Sequence, residues 1–214
     1  NSRISLAPMF FNLEVVTKGF EEGELVVVAA RPGVGKTAFG LALANHFSKK
    51  HETLFVAYEM MARELGERMI YAKSGVTRDT VHSKDKFTEE QMEKIRLASS
   101  EFLNQKLTVV DEPPKDFITL REIIREMHRR NPFRVIFIDY LGLIRQYMPN
   151  DRYDPYTTTT QISGDLKMLA KELKVTIVLL QQVNRGASQG NRDDSSFKEL
   201  QTTDLRDSGA IEQD

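Results

Sequence analysis

The sequence contains no cysteine. This absence excludes disulfide bonds and cysteine-ligated zinc, and it is typical of proteins from a reducing cytoplasm. No apolar run approaches the roughly 18 residues that a membrane-spanning helix needs. The N-terminus also lacks the basic-then-apolar layout of a secretory signal peptide. The sequence therefore predicts a protein without a membrane partner.

An excess of charge of either sign is also missing. With 30 basic and 31 acidic residues, the formal net charge is −1. Any contact with nucleic acid must therefore come from a local patch, since the surface is not basic as a whole. A hydrophobic content of 40% over 214 residues is enough for a full core in one large domain or two small ones.

Residues 30–37, Ala-Arg-Pro-Gly-Val-Gly-Lys-Thr, are the most informative stretch of the chain. The apolar run 25–29 before them is typical of a short buried strand. The run 37–47 after them has strong helix formers and no proline. A strand, a glycine-containing loop ending in Gly-Lys-Thr and a helix form the arrangement of a phosphate-binding P-loop.

The chemistry of this loop is specific. Gly33 and Gly35 allow the backbone to curl so that several N–H groups point into one concavity. Lys36 can reach the β- and γ-phosphates, and the Thr37 hydroxyl can bind Mg²⁺. The strict motif begins with glycine, whereas Ala30, the smallest replacement, stands here. A chance Gly-Lys-Thr is the alternative, but the flanking elements favour a nucleotide site made of Arg31, Pro32, Gly33, Val34, Gly35, Lys36, Thr37 and Ala38.

Apolar and β-branched runs predict five strands, at 25–29, 53–58, 107–110, 134–139 and 175–180. Helical patterns lie between them, so we expect a mostly parallel α/β sheet covered by helices on both faces. Capping boxes at Thr88 and Thr119 predict two helix starts, the first with Met92, Ile95 and Phe102 on one face. The polar stretch 147–160, with two prolines, predicts an exposed loop. Residues 1–12 show no period and predict a linker or lead-in segment before a domain over 13–214.

In parallel sheets ligands bind at the carboxyl ends of the strands. Asp139 ends an apolar strand and is a candidate for the Walker-B carboxylate that holds Mg²⁺. Glu59, after the second strand, is either a general base for an attacking water or an acid at a helix N-terminus. Gln182, after the last strand, could contact the γ-phosphate or the water. Spacing alone does not separate it from Gln181 or from a solvated glutamine.

Six motifs in this order resemble those of one known family. AARPGVGKTAF, YEM, IDYLGLI, LKMLAKELKV, QQVNR and DLRDSGAIEQD are similar to the RecA-like ATPase domain of DnaB-type replicative helicases, whose close relatives include phage primase-helicases. The likeness runs from about residue 11 to residue 214. It implies a RecA-like P-loop NTPase core.

The resemblance also implies residue roles. It assigns Lys36 and Thr37 to the phosphates and Mg²⁺, Asp139 to the metal and Glu59 to water activation. It selects Gln182 over its neighbour. It further places the loop through Arg206, Asp207, Ser208 and Gly209 on DNA, where an arginine and backbone N–H groups can grip phosphates without contacting bases.

At the level of the whole protein, the resemblance implies a ring-shaped homo-hexamer with ATP between subunits and single-stranded DNA in its channel. The resemblance also implies a primase and a helicase loader as partners. It implies the cytoplasm of a bacterium or of a phage-infected bacterium as the location. Two positions depart from the family pattern: Gly142 stands where many members have glutamine, and Gln181 replaces the usual serine. The family pattern continues past Asp214 to an arginine finger, so we expect the chain to be C-terminally incomplete.

The hypothesis is therefore an ATP-driven motor that moves on single-stranded DNA and unwinds duplex. A RecA-type recombinase or filament-forming DNA-dependent ATPase would share Lys36, Glu59 and Asp139, although DLRDSGAIEQD argues against it. A non-enzymatic, nucleotide-gated scaffold is a third possibility, and the intact acids disfavour it.

Overall fold

A computed structural model describes residues 3–77, 80, 87–139 and 155–182 of the chain, with the side chains of 155–160 excepted. The elements in chain order are β1 (Arg3–Ile4), α1 (Phe11–Thr17), β2 (Phe20–Glu21), β3 (Leu25–Ala30), α2 (Lys36–Ser48), β4 (Thr53–Ala57), α3 (Ala62–Ser74), α4 (Glu89–Leu103), β5 (Leu107–Val110), α5 (Phe117–Arg130), β6 (Val135–Asp139), α6 (Pro155–Leu173) and β7 (Thr176–Gln182).

Five strands form one parallel sheet in the order β3-β7-β6-β4-β5. The predicted parallel α/β architecture is confirmed. The last strand lies between β3 and β6, so the carboxyl ends of β3, β7, β6 and β4 are neighbours at one edge of the sheet. This edge is where a doubly covered parallel sheet binds its ligands.

Helices pack on both faces of the sheet because its central strands are apolar on both sides. Strands β4 and β6 are buried along their whole length. On one face Ile136 and Ile138 pack with Leu120 of α5 and Leu166 of α6. On the other face the side chains of β6 pack against residues of α2 and α3. The alternation of side chains along each strand thus divides the core into two layers.

Strand β3 differs from its prediction as a buried strand. Its six residues are only half-buried. It lies at the edge of the described sheet, where β7 is its partner strand. A continuous apolar run does not distinguish an edge strand from a central one, which is why the prediction of a fully buried strand was wrong.

Residues near the N-terminus also differ from a free linker. Strand β1 pairs antiparallel with β2, and Ile4 and Leu6 are buried. The Glu14 carboxylate accepts the backbone N–H of Leu6 at 2.7 Å. Gly19 has φ +84° and approaches β1 so closely that a Cβ there would lie 2.6 Å from the Ile4 carbonyl oxygen. This part of the lead-in segment therefore contributes to the core, while the boundary at residue 13 stays a prediction.

Three local predictions about helices are wrong. Helix α5 begins after Asp116, whose carboxylate accepts the backbone N–H of Thr119 at 2.8 Å, so Asp116 and not Thr119 is the N-cap. Met92 is exposed, and the buried residue of α4 is Ala98. Helix α6 already begins at Pro155, inside the stretch predicted as a loop. Proline is tolerated in the first turn of a helix because its missing N–H would have no intrahelical partner there.

Candidate nucleotide site

A cleft of about 420 Å³ opens at the carboxyl edge of the sheet. It brings together residues that are far apart in the sequence and come from β3, α2, α3 and the ends of neighbouring strands. Its lining consists of Ala30, Arg31, Pro32, Gly33, Gly35, Lys36, Thr37, Ala38, Glu59, Arg68 and Gln182. Most of the predicted nucleotide-binding residues thus line one cleft.

The loop at the floor of the cleft has the backbone conformation that its glycines permit. Gly33 and Gly35 have φ of +80° and +102°. A Cβ at either position would meet no protein atom within 4 Å, so it is the left-handed conformation that requires glycine here. Gly35 is the N-cap of α2. The first-turn N–H groups and the positive dipole end of α2 therefore lie at the cleft, as an anion-binding site needs.

Asp139 connects this loop to strand β6. Its Oδ2 accepts the Thr37 hydroxyl at 2.7 Å, and its Oδ1 lies 2.8 Å from the Lys36 Nζ. The side chains of Asp139 and Lys36 are only 3% and 9% exposed. Oδ1 is buried, and the ammonium group of Lys36 is its ion-pair partner. A carboxylate oxygen has more than one lone pair, so it can also accept a hard cation or water bound to one.

These donors fit Mg²⁺. The hydroxyl of Thr37 and the carboxylate of Asp139 are oxygen ligands, and Mg²⁺ in phosphate-binding sites usually takes one or two protein oxygens and keeps several waters. No cluster of three or more His, Cys, Asp or Glu side chains able to hold a metal by itself occurs in the described part of the chain. The metal role of Thr37 and Asp139 stays a prediction that the geometry supports.

Glu59 lies in the turn between β4 and α3 and is exposed on the cleft wall. The backbone N–H of Tyr58 donates to the Asp139 carbonyl at 2.8 Å, which ties this turn to β6. The alternative role of Glu59, an acid at the N-terminus of α3, is taken by two other carboxylates. Asp111 accepts the N–H of Ala62, and Glu64 accepts the N–H of Met61. The geometry therefore favours a role of Glu59 in the cleft.

The two glutamines of β7 lie on opposite faces of the sheet. Gln182 is the last residue of the strand, pairs with Ala30 and lines the cleft. Gln181 is 6% exposed, and its Oε1 has no hydrogen bond to any residue that the structure describes. Side chains alternate along a strand, and Leu180 packs on the α2 face. Gln182 shares the Leu180 face and Gln181 the other, so geometry supports the choice of Gln182.

Arg68 was not predicted from the sequence, yet it lines the cleft from α3. Its guanidinium adds a cation to a site that also contains Lys36, Arg31 and backbone N–H groups. The only sequence signal is weak. Leu65 and Met69 are the buried apolar residues of this helix, and Arg68 lies between them at the border of the same face.

A second cavity of about 350 Å³ adjoins the cleft between α2 and α3. It shares Ala38 and Arg68 with the cleft, but its walls are mostly apolar. It is lined by Met9, Ala38, Leu41, Ala42, Asn45, Lys49, Arg68, Met69, Ala72 and Lys73. Because phosphates need N–H groups and cations, the P-loop cleft is the candidate nucleotide site.

Two further predictions concern DNA and the membrane. Arg206, Asp207, Ser208 and Gly209 lie outside the described residues, so their contact with DNA stays a prediction. Among the helices of the described ranges, none is both long enough and apolar enough to cross a membrane.

The strand, the glycine loop, the Lys-Thr pair and the carboxylate on a neighbouring strand define a P-loop nucleotide-binding protein with a RecA-like core. The family described as DnaB-like helicase C terminal domain matches residues 5–214. The chain therefore belongs to the DnaB-like helicase C-terminal domain family. DnaB-like helicases use a nucleoside triphosphate. Membership in this family favours a helicase over a recombinase.

Similar proteins agree with this assignment. The replicative DNA helicase DnaB of Treponema pallidum is 35% identical over 214 residues, which cover 99% of this chain and 46% of that protein. The replicative DNA helicase DnaC of Bacillus subtilis is 33% identical over 207 residues, covering 96% and 44%. The chain thus spans less than half the length of these curated relatives.

Two solved structures are similar in fold. The ATPase domain of G40P superposes with a TM-score of 0.81 at 29% identity, covering 97% of this chain and 72% of that one. A DnaB-like replicative helicase, described with its interactions with primase, gives a TM-score of 0.82 at 30% identity, covering 98% and 51%.

Proposed function

We propose that this chain is the ATP-hydrolysing motor domain of a replicative DNA helicase, which moves along single-stranded DNA and unwinds duplex. One observation carries the proposal. A single buried carboxylate, Asp139, contacts both Lys36 and Thr37, in a cleft whose walls also carry Glu59 and Gln182. This is the set of groups that phosphoryl transfer to water requires.

Each residue has a distinct task in this proposal. The N–H groups of the loop and the ammonium of Lys36 bind the phosphates and orient the terminal one. Thr37 and Asp139 hold Mg²⁺, which when bound neutralises negative charge that develops on the phosphate oxygens. Lys36 lies at the floor of the cleft on Asp139, and its flexible side chain can turn from that carboxylate toward the phosphates.

Glu59 and Gln182 act on the attacking water. The Glu59 carboxylate accepts a hydrogen bond from the water, orients it and receives its proton. The Gln182 amide, at the end of β7, hydrogen-bonds to the terminal phosphate or to the water. Because β7 is the strand next to the P-loop strand, a change at the phosphate can reach the chain that follows residue 182.

The partners follow from the family. We propose a homo-hexameric ring with ATP bound between subunits, single-stranded DNA against the loop that contains Arg206, Asp207, Ser208 and Gly209, and a primase and a loader as protein partners. The solved DnaB-like helicase described with primase supports the primase partner. The bacterial sources of the relatives support the cytoplasm of a bacterium, or of one infected by phage, as the place of action.

The test is Lys36→Ala in the full-length protein. We expect its DNA-stimulated ATP hydrolysis to fall on the order of 10²–10³-fold or more, since one preorganised charge on the phosphates is lost. Lys49→Ala, at the other end of α2, is the matched control and keeps the wild-type rate. Unchanged hydrolysis in Lys36→Ala contradicts the site. Strand exchange without unwinding of a forked duplex would favour the recombinase instead.

A further inference from the structure

The turn that carries Glu59 is held on both sides by one loop. The turn connects β4 to α3, and the loop connects β5 to α5. The two strands are parallel neighbours, with Val56 opposite Val110, so the turn and the loop leave the sheet side by side. Two hydrogen bonds then join them, one before Glu59 and one after it.

The first bond involves Tyr58, directly before Glu59. Its hydroxyl donates to the Pro114 carbonyl oxygen at 2.8 Å. Tyr58 is half-buried, and burial together with the negative charge of Asp116 raises its pKa well above the ordinary value. The hydroxyl therefore stays protonated and remains a donor at any pH at which the protein works.

The second bond involves Asp111, directly after β5. Its Oδ2 accepts the backbone N–H of Ala62 at 2.7 Å. Ala62 is the first residue of α3, so this carboxylate satisfies one of the N–H groups that a helix start leaves unpaired. Helix α3 thus begins at a point fixed by β5.

Glu59 depends on these neighbours for its position. Within the described part of the chain, no hydrogen bond of its carboxylate is found, and the side chain is exposed. The direction of the side chain is therefore set by the backbone of the turn. The loop holds the turn through the Tyr58 side chain and through the backbone N–H of Ala62, and only three residues lie between these two points.

We propose that Tyr58 and Asp111 are positioning residues that hold the Glu59 carboxylate toward the cleft for water activation. This inference rests on the proposed function, ATP hydrolysis with Glu59 as the base. Neither residue is among those that line the cleft, so we expect neither to contact the nucleotide. Their effect belongs to the chemical step, because a misplacement of a catalytic group by about 1 Å can cost on the order of 10²-fold in rate.

The experiment uses Tyr58→Phe and Asp111→Ala in the full-length protein. We expect each to lower kcat for ATP by about tenfold or more, with KM and the affinity for a nucleotide analogue unchanged. Asp111→Asn keeps an acceptor oxygen for the Ala62 N–H and retains most of kcat. This rescue separates a lost hydrogen bond from a lost fold.

Two matched controls change the same kinds of group elsewhere. Tyr71→Phe removes a tyrosine hydroxyl further along α3. Thr88→Ala removes the N-cap of α4, whose hydroxyl accepts the Gln91 N–H at 3.2 Å. Both keep the wild-type kcat. If either lowers kcat as much as Tyr58→Phe does, the effect is general destabilisation and the proposal is wrong.

Combination with Glu59→Gln gives the decisive result. If Tyr58 acts through the carboxylate, Tyr58→Phe causes no further loss of the residual single-turnover rate in the Glu59→Gln background. An equal loss in both backgrounds overturns the inference. If Glu59→Gln itself hydrolyses ATP at the full rate, the proposed role of Glu59 fails. If Glu59→Gln is impaired while Tyr58→Phe and Asp111→Ala are fully active, only the positioning role fails.

Discussion

The two edges of the parallel sheet, at the amino and the carboxyl ends of its strands, differ in how their buried polar groups are paired. At the amino edge they are paired: Thr176 donates to the Glu21 carbonyl at 2.8 Å, and Thr53 donates to the His51 carbonyl at 2.9 Å. At the carboxyl edge the buried Asp139 carboxylate instead faces the Lys36 ammonium at 2.8 Å, and the buried Gln181 Oε1 has no hydrogen bond to the described residues. Burying a charged pair is costly, so its presence at one edge, beside the cleft, marks that edge as the one built for function.

The comparison predicts that substitutions at the carboxyl edge abolish activity and that those at the amino edge reduce stability. The largest effect is expected for Asp139→Asn. The amide can still accept the Thr37 hydroxyl, but it removes the anion beside Lys36 and the carboxylate ligand for the metal. We expect ATP hydrolysis to fall on the order of 10²-fold or more.

The loss of stability in Asp139→Asn is smaller than the ~3–5 kcal/mol of a fully enclosed ion pair, because Lys36 can turn toward the open cleft. Steady-state ATPase assays and thermal unfolding of the same samples check both parts. If Asp139→Asn is active, or if it does not fold, the expected difference between the two edges, activity at one and stability at the other, is contradicted.

An intermediate effect is expected for Thr176→Val at the amino edge. Valine has nearly the same shape but removes the hydroxyl that donates to the Glu21 carbonyl, which keeps its hydrogen bond from the Glu24 N–H at 3.2 Å, and Thr176 is 1% exposed. The loss of one intramolecular hydrogen bond costs about 0.5–1.5 kcal/mol. Chemical denaturation measures this loss, while kcat stays at the wild-type value. A fall in kcat at unchanged stability would show that the amino edge takes part in turnover.

The smallest effect concerns pH. The Nδ1 of His128, at the end of α5, accepts the Phe133 N–H at 3.2 Å, and burial lowers the pKa of His128 below 6.5. The folded state therefore binds fewer protons than the unfolded state, so stability falls as pH drops below about 6.5 and levels off below the folded pKa. His128→Gln removes this contribution.

The measurement is the free energy of unfolding from pH 7.5 to pH 5. We expect a shallower decline for His128→Gln than for the wild type. Some decline remains, because burial and the charges of Lys50, Lys106 and His46 also lower the pKa of His51. Identical slopes for the two proteins would mean that the His128 contact does not titrate in this range.

Much of the fold could be predicted because it depends on local patterns. The strands are apolar runs rich in β-branched residues, and the loop at Gly33–Lys36 has its chemistry in consecutive residues. The strand order was not predictable, because it depends on which runs pair across the chain. The N-cap of α5 was misplaced because Thr119 with Glu122 satisfies the same sequence rule as the true cap, Asp116.

In the candidate site, too, residues set by local sequence patterns could be predicted and those set by tertiary contacts could not. Lys36, Asp139 and Glu59 stand in or directly after predicted elements, so strand ends pointed to them. Arg68 is a helix residue that tertiary packing brings to the cleft. The bond from Tyr58 to Pro114 joins residues 56 positions apart, and no spacing rule reports such a contact.

The position of β7 in the sheet has a consequence for folding during synthesis on the ribosome. The P-loop strand and the Asp139 strand are joined only through β7 within the described sheet, and β7 follows nearly everything else in the described chain. A ribosome must therefore release residues 176–182 before Lys36 and Asp139 can be held together, since long-range strand pairing comes late. Nucleotide binding would then require that β7 has left the ribosome.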